Sequence, residues 1–146
     1  MTVNRRSVLI GLTALLEARP AFAEMTVRAP KEPWDSVKFT LRDGDNVWPG
    51  VAVRVPGAPG KPSYIYAAST ICPHQGCQFE FEADYQAVGA KIGKELTNPV
   101  FHCHCHMSTY DPANAGQVIH GPAPRPPFRF EFREEGDALV ITGVVT

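Results

Sequence analysis

The chain predicts an all-β fold, and two patterns predict it. Apolar and charged residues alternate with period 2 through Phe128-Arg129-Phe130-Glu131-Phe132-Arg133, the mark of a half-buried strand. Shorter β-like runs recur upstream, each closed by Gly/Pro turn-formers. Hydrophobic residues make up 44% and charged residues 20%, which suits a packed core and not a disordered chain. The 146 residues fit one domain. A net charge of −1 and the absence of any Lys/Arg run exclude a nucleic-acid binder.

In chain order, residues 1–23 read as an export signal outside the fold, which leaves 24–146 as the domain. Arg5 and Arg6 precede the apolar run Val8–Leu16, and Ala21-Phe22-Ala23 supplies a small-residue cleavage pattern before Glu24. The arginine pair resembles a twin-arginine signal, a route for proteins that fold with a cofactor before crossing, so a periplasmic location is expected. A retained membrane anchor is the alternative. A span needs about 20 mostly apolar residues, and here Glu17 and Arg19 end the run early. Removal of the segment leaves a more acidic chain in an oxidising compartment, where disulfides persist.

Glu24–Trp34 is a Pro-containing lead-in. Val37–Thr40 is a strand before the turn Asp43-Gly44-Asp45. Val51–Val55 is another before Pro56–Gly60, and Ser63–Ser69 leads into a first cysteine cluster. Residues 82–96 place Tyr85, Val88, Ile92 and Leu96 at roughly helical spacing, so a short helix is expected there, weakened by Gly89 and Gly93. The alternating run 128–133, a turn at 134–137 and Ala138–Thr142 form a terminal hairpin. Gly60-Lys61 is followed by Pro62, so no phosphate loop is present, and no Cys-x-x-Cys-His occurs to attach haem.

All four cysteines fall in two boxes, Cys72-Pro73-His74-Gln75-Gly76-Cys77 and Cys103-His104-Cys105-His106-Met107-Ser108-Thr109-Tyr110-Asp111. Cysteine and histidine crowded into two short loops mean a metal centre. Two irons sharing two sulfides need four protein ligands, and a Cys–His pair from each loop supplies them. Neutral imidazoles in place of two thiolates make such a centre easier to reduce. His102, His104 and His120 are expected at the surface.

Through these boxes, and through Gly121-Pro122-Ala123-Pro124, the chain resembles the Rieske iron–sulfur family over roughly residues 65–132. The resemblance implies a Rieske fold of stacked antiparallel sheets, with a cluster-binding part at about 65–127 made of two loops and a covering proline loop. It implies one [2Fe–2S] cluster held by Cys72 and Cys103 on one iron and His74 and His106 on the other. It implies a Cys77–Cys105 disulfide, which marks the higher-potential branch. Ser108 resembles the residue whose hydroxyl bonds a cluster sulfide, and Tyr110 the one that bonds a ligand sulfur. Both would raise the potential. No catalytic residue of its own is implied, only one-electron transfer.

Two other readings of the boxes stay open. Four cysteines could make two disulfides, which leaves His74 and His106 without a role. The four donors could take one zinc, which has no use for Ser108, Tyr110 or the proline loop. Against subunits of quinol-oxidising cytochrome bc-type complexes, this chain has Gln75 in place of the usual Leu, Met107 in place of Gly, and 25 residues between the boxes, 78–102. His104 replaces a usual proline. The Ser69-Thr70-Ile71-Cys72-Pro73-His74 approach and the export signal are more similar to the small Rieske subunits of periplasmic molybdenum enzymes such as arsenite oxidases, whereas the proline loop reads more like the bc type. The expected partners are therefore a molybdenum-containing large subunit as donor and a c-type cytochrome as acceptor, with the bc-type complex as alternative. Ring-dioxygenase ferredoxins share the ligands but lack the disulfide cysteines and an export signal.

Overall fold

The computed structural model describes residues 24–146, so the export signal expected at 1–23 lies outside the described residues. The described residues form ten strands and one α-helix: β1 (Met25–Arg28), β2 (Ser36–Asp43), β3 (Asn46–Val55), β4 (Tyr64–Ser69), β5 (Glu80–Glu82), α1 (Tyr85–Ile92), β6 (Val100–His102), β7 (Thr109–Asp111), β8 (Gln117–His120), β9 (Arg129–Glu135) and β10 (Ala138–Val145). The strands make a six-stranded sheet in the order β1-β10-β9-β4-β3-β2 and a four-stranded sheet β5-β6-β7-β8. Every pairing within the sheets is antiparallel. The all-β expectation holds.

Two hairpins of the large sheet use the same device. Asp43 pairs with Asn46 across Gly44-Asp45, and Glu135 pairs with Ala138 across Gly136-Asp137. In each, the first loop residue has a positive φ (57° and 58°), which glycine adopts without penalty and which matches the strand twist. The strands run longer than the sequence pattern suggested: β3 begins at Asn46 and β10 ends at Val145. Strand β1 forms inside the segment expected to be a mere lead-in, where Met25 and Val27 alternate with exposed Thr26 and Arg28.

Strands β3 and β4 are buried on both faces, which explains their near-continuous apolar composition. Ala52, Ile65 and Ala67 face a core with Phe39, Leu41, Phe130, Leu139 and Ile141. Val51, Val53, Val55, Tyr66 and Ala68 face the other way, onto Cys72, Phe79, Phe101, Cys103 and Tyr110. The second core joins the two sheets and contains the free cysteines. Function is therefore built on the back of the structural sheet.

The helix expected within 82–96 is present but shorter. Asp84 caps its N-terminus by accepting from the Ala87 N–H at 3.1 Å, and Gly93 ends it in the left-handed conformation. Gly89 is there for space: a Cβ would lie 2.5 Å from the Lys94 carbonyl oxygen. The two glycines that weaken the helix pattern thus fix its end and the chain's return.

Candidate metal centre

The two boxes fold as near-copies of one loop. In the first, the Cys72 N–H donates to the Cys77 carbonyl and the Gly76 N–H donates back to the Cys72 carbonyl, at 2.7 and 3.0 Å. In the second, the Cys103 N–H donates to the Ser108 carbonyl and the Met107 N–H to the Cys103 carbonyl, at 2.8 and 2.9 Å. The fifth residue of each loop has a positive φ: 77° at Gly76 and 65° at Met107. This loop turns its first cysteine inward and presents the following residues to solvent. Cys72 and Cys103 are buried, His74 is partly buried, and His104 through Met107 are exposed.

Cys77 and Cys105 form a disulfide that joins the loops across a separation of 28 residues, as the resemblance implied. Cys72 and Cys103 remain free thiols. Zinc on the cysteines alone is disfavoured by this chemistry. The Cys77, Cys103 and Cys105 sulfurs lie within 4.8 Å of one another, but two of the three are in the disulfide and offer no thiolate.

The rings of His74 and His106 meet edge to face, with centroids 4.7 Å apart. His74 Nδ1 is buried and has no hydrogen-bond partner. A buried lone nitrogen is costly unless something takes it, and a metal ion does. Two free buried thiols beneath two adjoining imidazoles fit an iron–sulfur cluster of two irons with mixed ligation.

The electrostatics favour a thiolate at Cys72. Burial pushes its thiol up. Hydrogen bonds from the Tyr110 hydroxyl, the His74 backbone N–H, Cys103 and Ser108 outweigh that and bring it below its ordinary value. Burial raises Cys103, and its neighbour Cys72 raises it further. Tyr110 lies 3.0 Å from Cys72 Sγ, and burial followed by that sulfur drives the phenol well above its usual range. The phenol therefore keeps its proton and donates it to sulfur. Ser108 Oγ accepts from the Ala123 N–H at 3.1 Å, which leaves its own proton free to donate inward.

That last bond ties down Gly121–Pro124. Gly121 sits at a φ of 89°, and a Cβ there would come within 2.5 Å of Ser108 Cα, so only glycine lets the loop lie this close. Ala123 is buried in the core beside the cysteines, while Pro122 and Pro124 are exposed.

The structure corrects one expectation. His102 is not at the surface; it is fully buried. Strand alternation sends Phe101 into the inter-sheet core and His102 to the opposite face, where the His104 ring covers it. His102 Nδ1 lies 2.9 Å from Thr109 Oγ1, which itself donates to the Met107 carbonyl, so the box-two loop is braced from behind. Burial, and then His104, hold the imidazole neutral by lowering its pKa. His104 is half exposed and His120 partly buried. Period-2 reading of 100–102 separates Phe101 from His102, but nothing local announces the covering ring.

Comparison with known proteins agrees with this geometry. The Rieske [2Fe-2S] domain family matches residues 51–141. Among curated proteins, the cytochrome b6-f complex iron-sulfur subunit of Chlorobaculum thiosulfatiphilum is 30% identical over 79 residues, 53% of this chain and 35% of that protein. The match thus spans about a third of that relative. Among solved structures, the soluble domain of Rieske protein II from Sulfolobus acidocaldarius aligns with a TM-score of 0.53 at 21% identity, over 76% of this chain and 68% of that one. It shares the fold. The plasma membrane Rieske protein of the cyanobacterium Synechocystis aligns at 0.49 and 24% identity, over 73% and 86%.

Proposed function

The chain belongs to the Rieske [2Fe–2S] family, and we propose that it acts as an exported electron-transfer subunit that relays electrons from a redox enzyme to a c-type cytochrome. It carries one [2Fe–2S] cluster, which supplies one-electron chemistry when bound. In this reading Cys72 and Cys103 hold the inner iron and His74 and His106 the outer one. Tyr110 and Ser108 place two hydroxyl protons against sulfur, which stabilises the added negative charge. The observation that carries the assignment is the layering of donors, with free thiols buried and imidazoles above them. His106, Gln75 and Met107 are exposed around the imidazole edge, so this face is where a redox partner approaches within reach.

The proposed donor is a molybdenum enzyme of arsenite-oxidase type, with the protein in the periplasm. Gln75 and Met107 support it, since both depart from the residues usual in bc-type subunits. Among the described residues no helix is long and apolar enough to cross a membrane. The second reading, a subunit of a quinol-oxidising cytochrome complex, draws on the name of the curated relative. One experiment addresses both. The protein as isolated should hold about two irons and two acid-labile sulfides, and pull-down from periplasmic extract should recover a molybdenum subunit. Recovery of a cytochrome b instead would favour the second reading; one zinc without iron would sink both.

A further inference from the structure

Two edge-on imidazole pairs occur in this protein, and only one serves the cluster. His74 and His106 meet at 4.7 Å and 87°; His102 and His104 meet at 4.9 Å and 89° on the opposite face of the small sheet. Two imidazoles on one metal ion, each with a metal–nitrogen bond of about 2.0–2.1 Å, place their centroids about 5 Å apart in tetrahedral geometry. The second pair matches that centroid spacing, although its donor atoms are not yet gathered on one point. Its buried member is also incompletely partnered. The Thr109 hydroxyl gives its proton to the Met107 carbonyl, so it can only accept from His102 Nδ1–H. The lone pair is then on His102 Nε2, which is buried and has no hydrogen-bond partner. A hydrogen bond fixing Nδ1–H and freeing Nε2 is the arrangement that orients a metal-ligating histidine.

A carboxylate stands beside the pair. Glu82 Oε1 is hydrogen-bonded to His104 Nε2 at 3.0 Å, a contact that an ion would replace by taking both atoms as ligands. His120 extends the row, because His102 pairs with Thr109 and Thr109 with His120 across adjacent strands. Three of the five histidines thus sit outside the cluster loops' ligand set and on one face. We propose that His102, His104 and Glu82 form a second metal site, for a borderline divalent ion such as Zn²⁺ or Cu²⁺, separate from the cluster. The donors are not yet converged. Among the described residues only the three cysteine sulfurs gather within 4.8 Å, so the exposed His104 and Glu82 side chains close onto His102 as the ion enters.

The test uses untagged holoprotein, with the cluster's visible absorbance as an internal monitor. Zn²⁺ titrated by calorimetry should bind at one equivalent per chain and leave that absorbance unchanged. Cu²⁺ added to the oxidised, EPR-silent protein should give a signal with nitrogen hyperfine splitting. Loss of an outer-shell partner alone costs about 10–100-fold in metal affinity, so His104→Ala should weaken binding at least about tenfold. His104→Ala alters an exposed ring and should assemble the cluster; Glu82→Gln, a milder change, should weaken binding in the same direction and serves if it does not. Absence of stoichiometric binding, unchanged affinity in both variants, or uptake accompanied by bleaching of the cluster would overturn the proposal.

Discussion

Strands β2, β3, β9 and β10 run 8, 10, 7 and 8 residues, whereas β5, β6 and β7 run three each. The long strands carry their own ladders and a core of Leu, Ile, Phe and Ala between sheet faces. Strands of three residues cannot do this; a small sheet in water is marginal without packing or a covalent tie. What holds the small sheet is its shared core against β3 and β4 and the Cys77–Cys105 disulfide, together with the cluster that its loops are proposed to hold. One half of the protein is stabilised by burial, the other by chemistry. The difference teaches where to look for effects that couple stability to redox state, and where not to.

The largest expected effect is removal of iron. Metal binding is folding free energy wherever the site does not persist without it. Chelation under reducing conditions should therefore strip amide hydrogen-exchange protection from β5–β8 while β2, β3, β9 and β10 stay protected. Uniform loss across both sheets would show that the division is wrong. Cys103→Ala should reproduce the apo pattern without a chelator.

Next come two losses of similar size and opposite readout. Opening the disulfide with Cys77→Ala plus Cys105→Ala frees a 28-residue separation, worth about 3–4 kcal/mol in the chain-entropy treatment. Leu41→Ala in the large-sheet core should cost about 2–5 kcal/mol, since Leu41 is wholly buried. Denaturant titration should find both destabilised. The reduction potential should move only in the first, because Leu41 touches the core that excludes the cysteines. A shifted potential in Leu41→Ala would break the comparison.

Smaller in energy but sharper in address are Ser108→Ala and Tyr110→Phe. Each deletes a hydroxyl proton directed at sulfur, whose loss falls mainly on the more negative, reduced state. A differential of about 1–3 kcal/mol corresponds to a fall of roughly 40–130 mV for a one-electron couple, at about 59 mV per tenfold. Protein-film voltammetry reads this directly. Unchanged potentials in both variants would remove these residues from the cluster's surroundings.

The same contrast explains what was legible in the sequence. Phe128–Arg133 and Val51–Val55 declare themselves because long strands carry a pattern, alternating where one face is wet and continuous where both are buried. Box residues declare themselves because Cys and His crowd only for chemistry. Strands β5–β7 were not legible, because three residues are too few for any period to show. Residues 109–111 read as a ligand motif are also strand β7, so one segment had two meanings. His102 failed for a different reason: the His104 ring that packs on it lies two residues on, where the chain has left β6 for the loop and strand alternation no longer says where a side chain goes.

The smallest expected effect lies at Met107. The matched hydrogen bonds of the two loops make Met107 the counterpart of Gly76, and both have positive φ. Glycine adopts that conformation freely, whereas a side chain there costs roughly 1–2 kcal/mol. Met107 recovers little of this through packing, since it is 38% exposed. Met107→Gly removes the penalty but adds chain entropy to the unfolded state, about 0.5–1 kcal/mol. The sum is a gain of about 0–1.5 kcal/mol. Trp34 has a similar φ of 67° but packs its ring on the inter-sheet core, so Trp34→Gly should lose stability on balance. Thermal denaturation of the holoproteins should thus move in opposite directions. If Met107→Gly lowers the midpoint instead, the exposed thioether is doing more than occupying a turn, and the exposed edge beside His106 is where that role would be found.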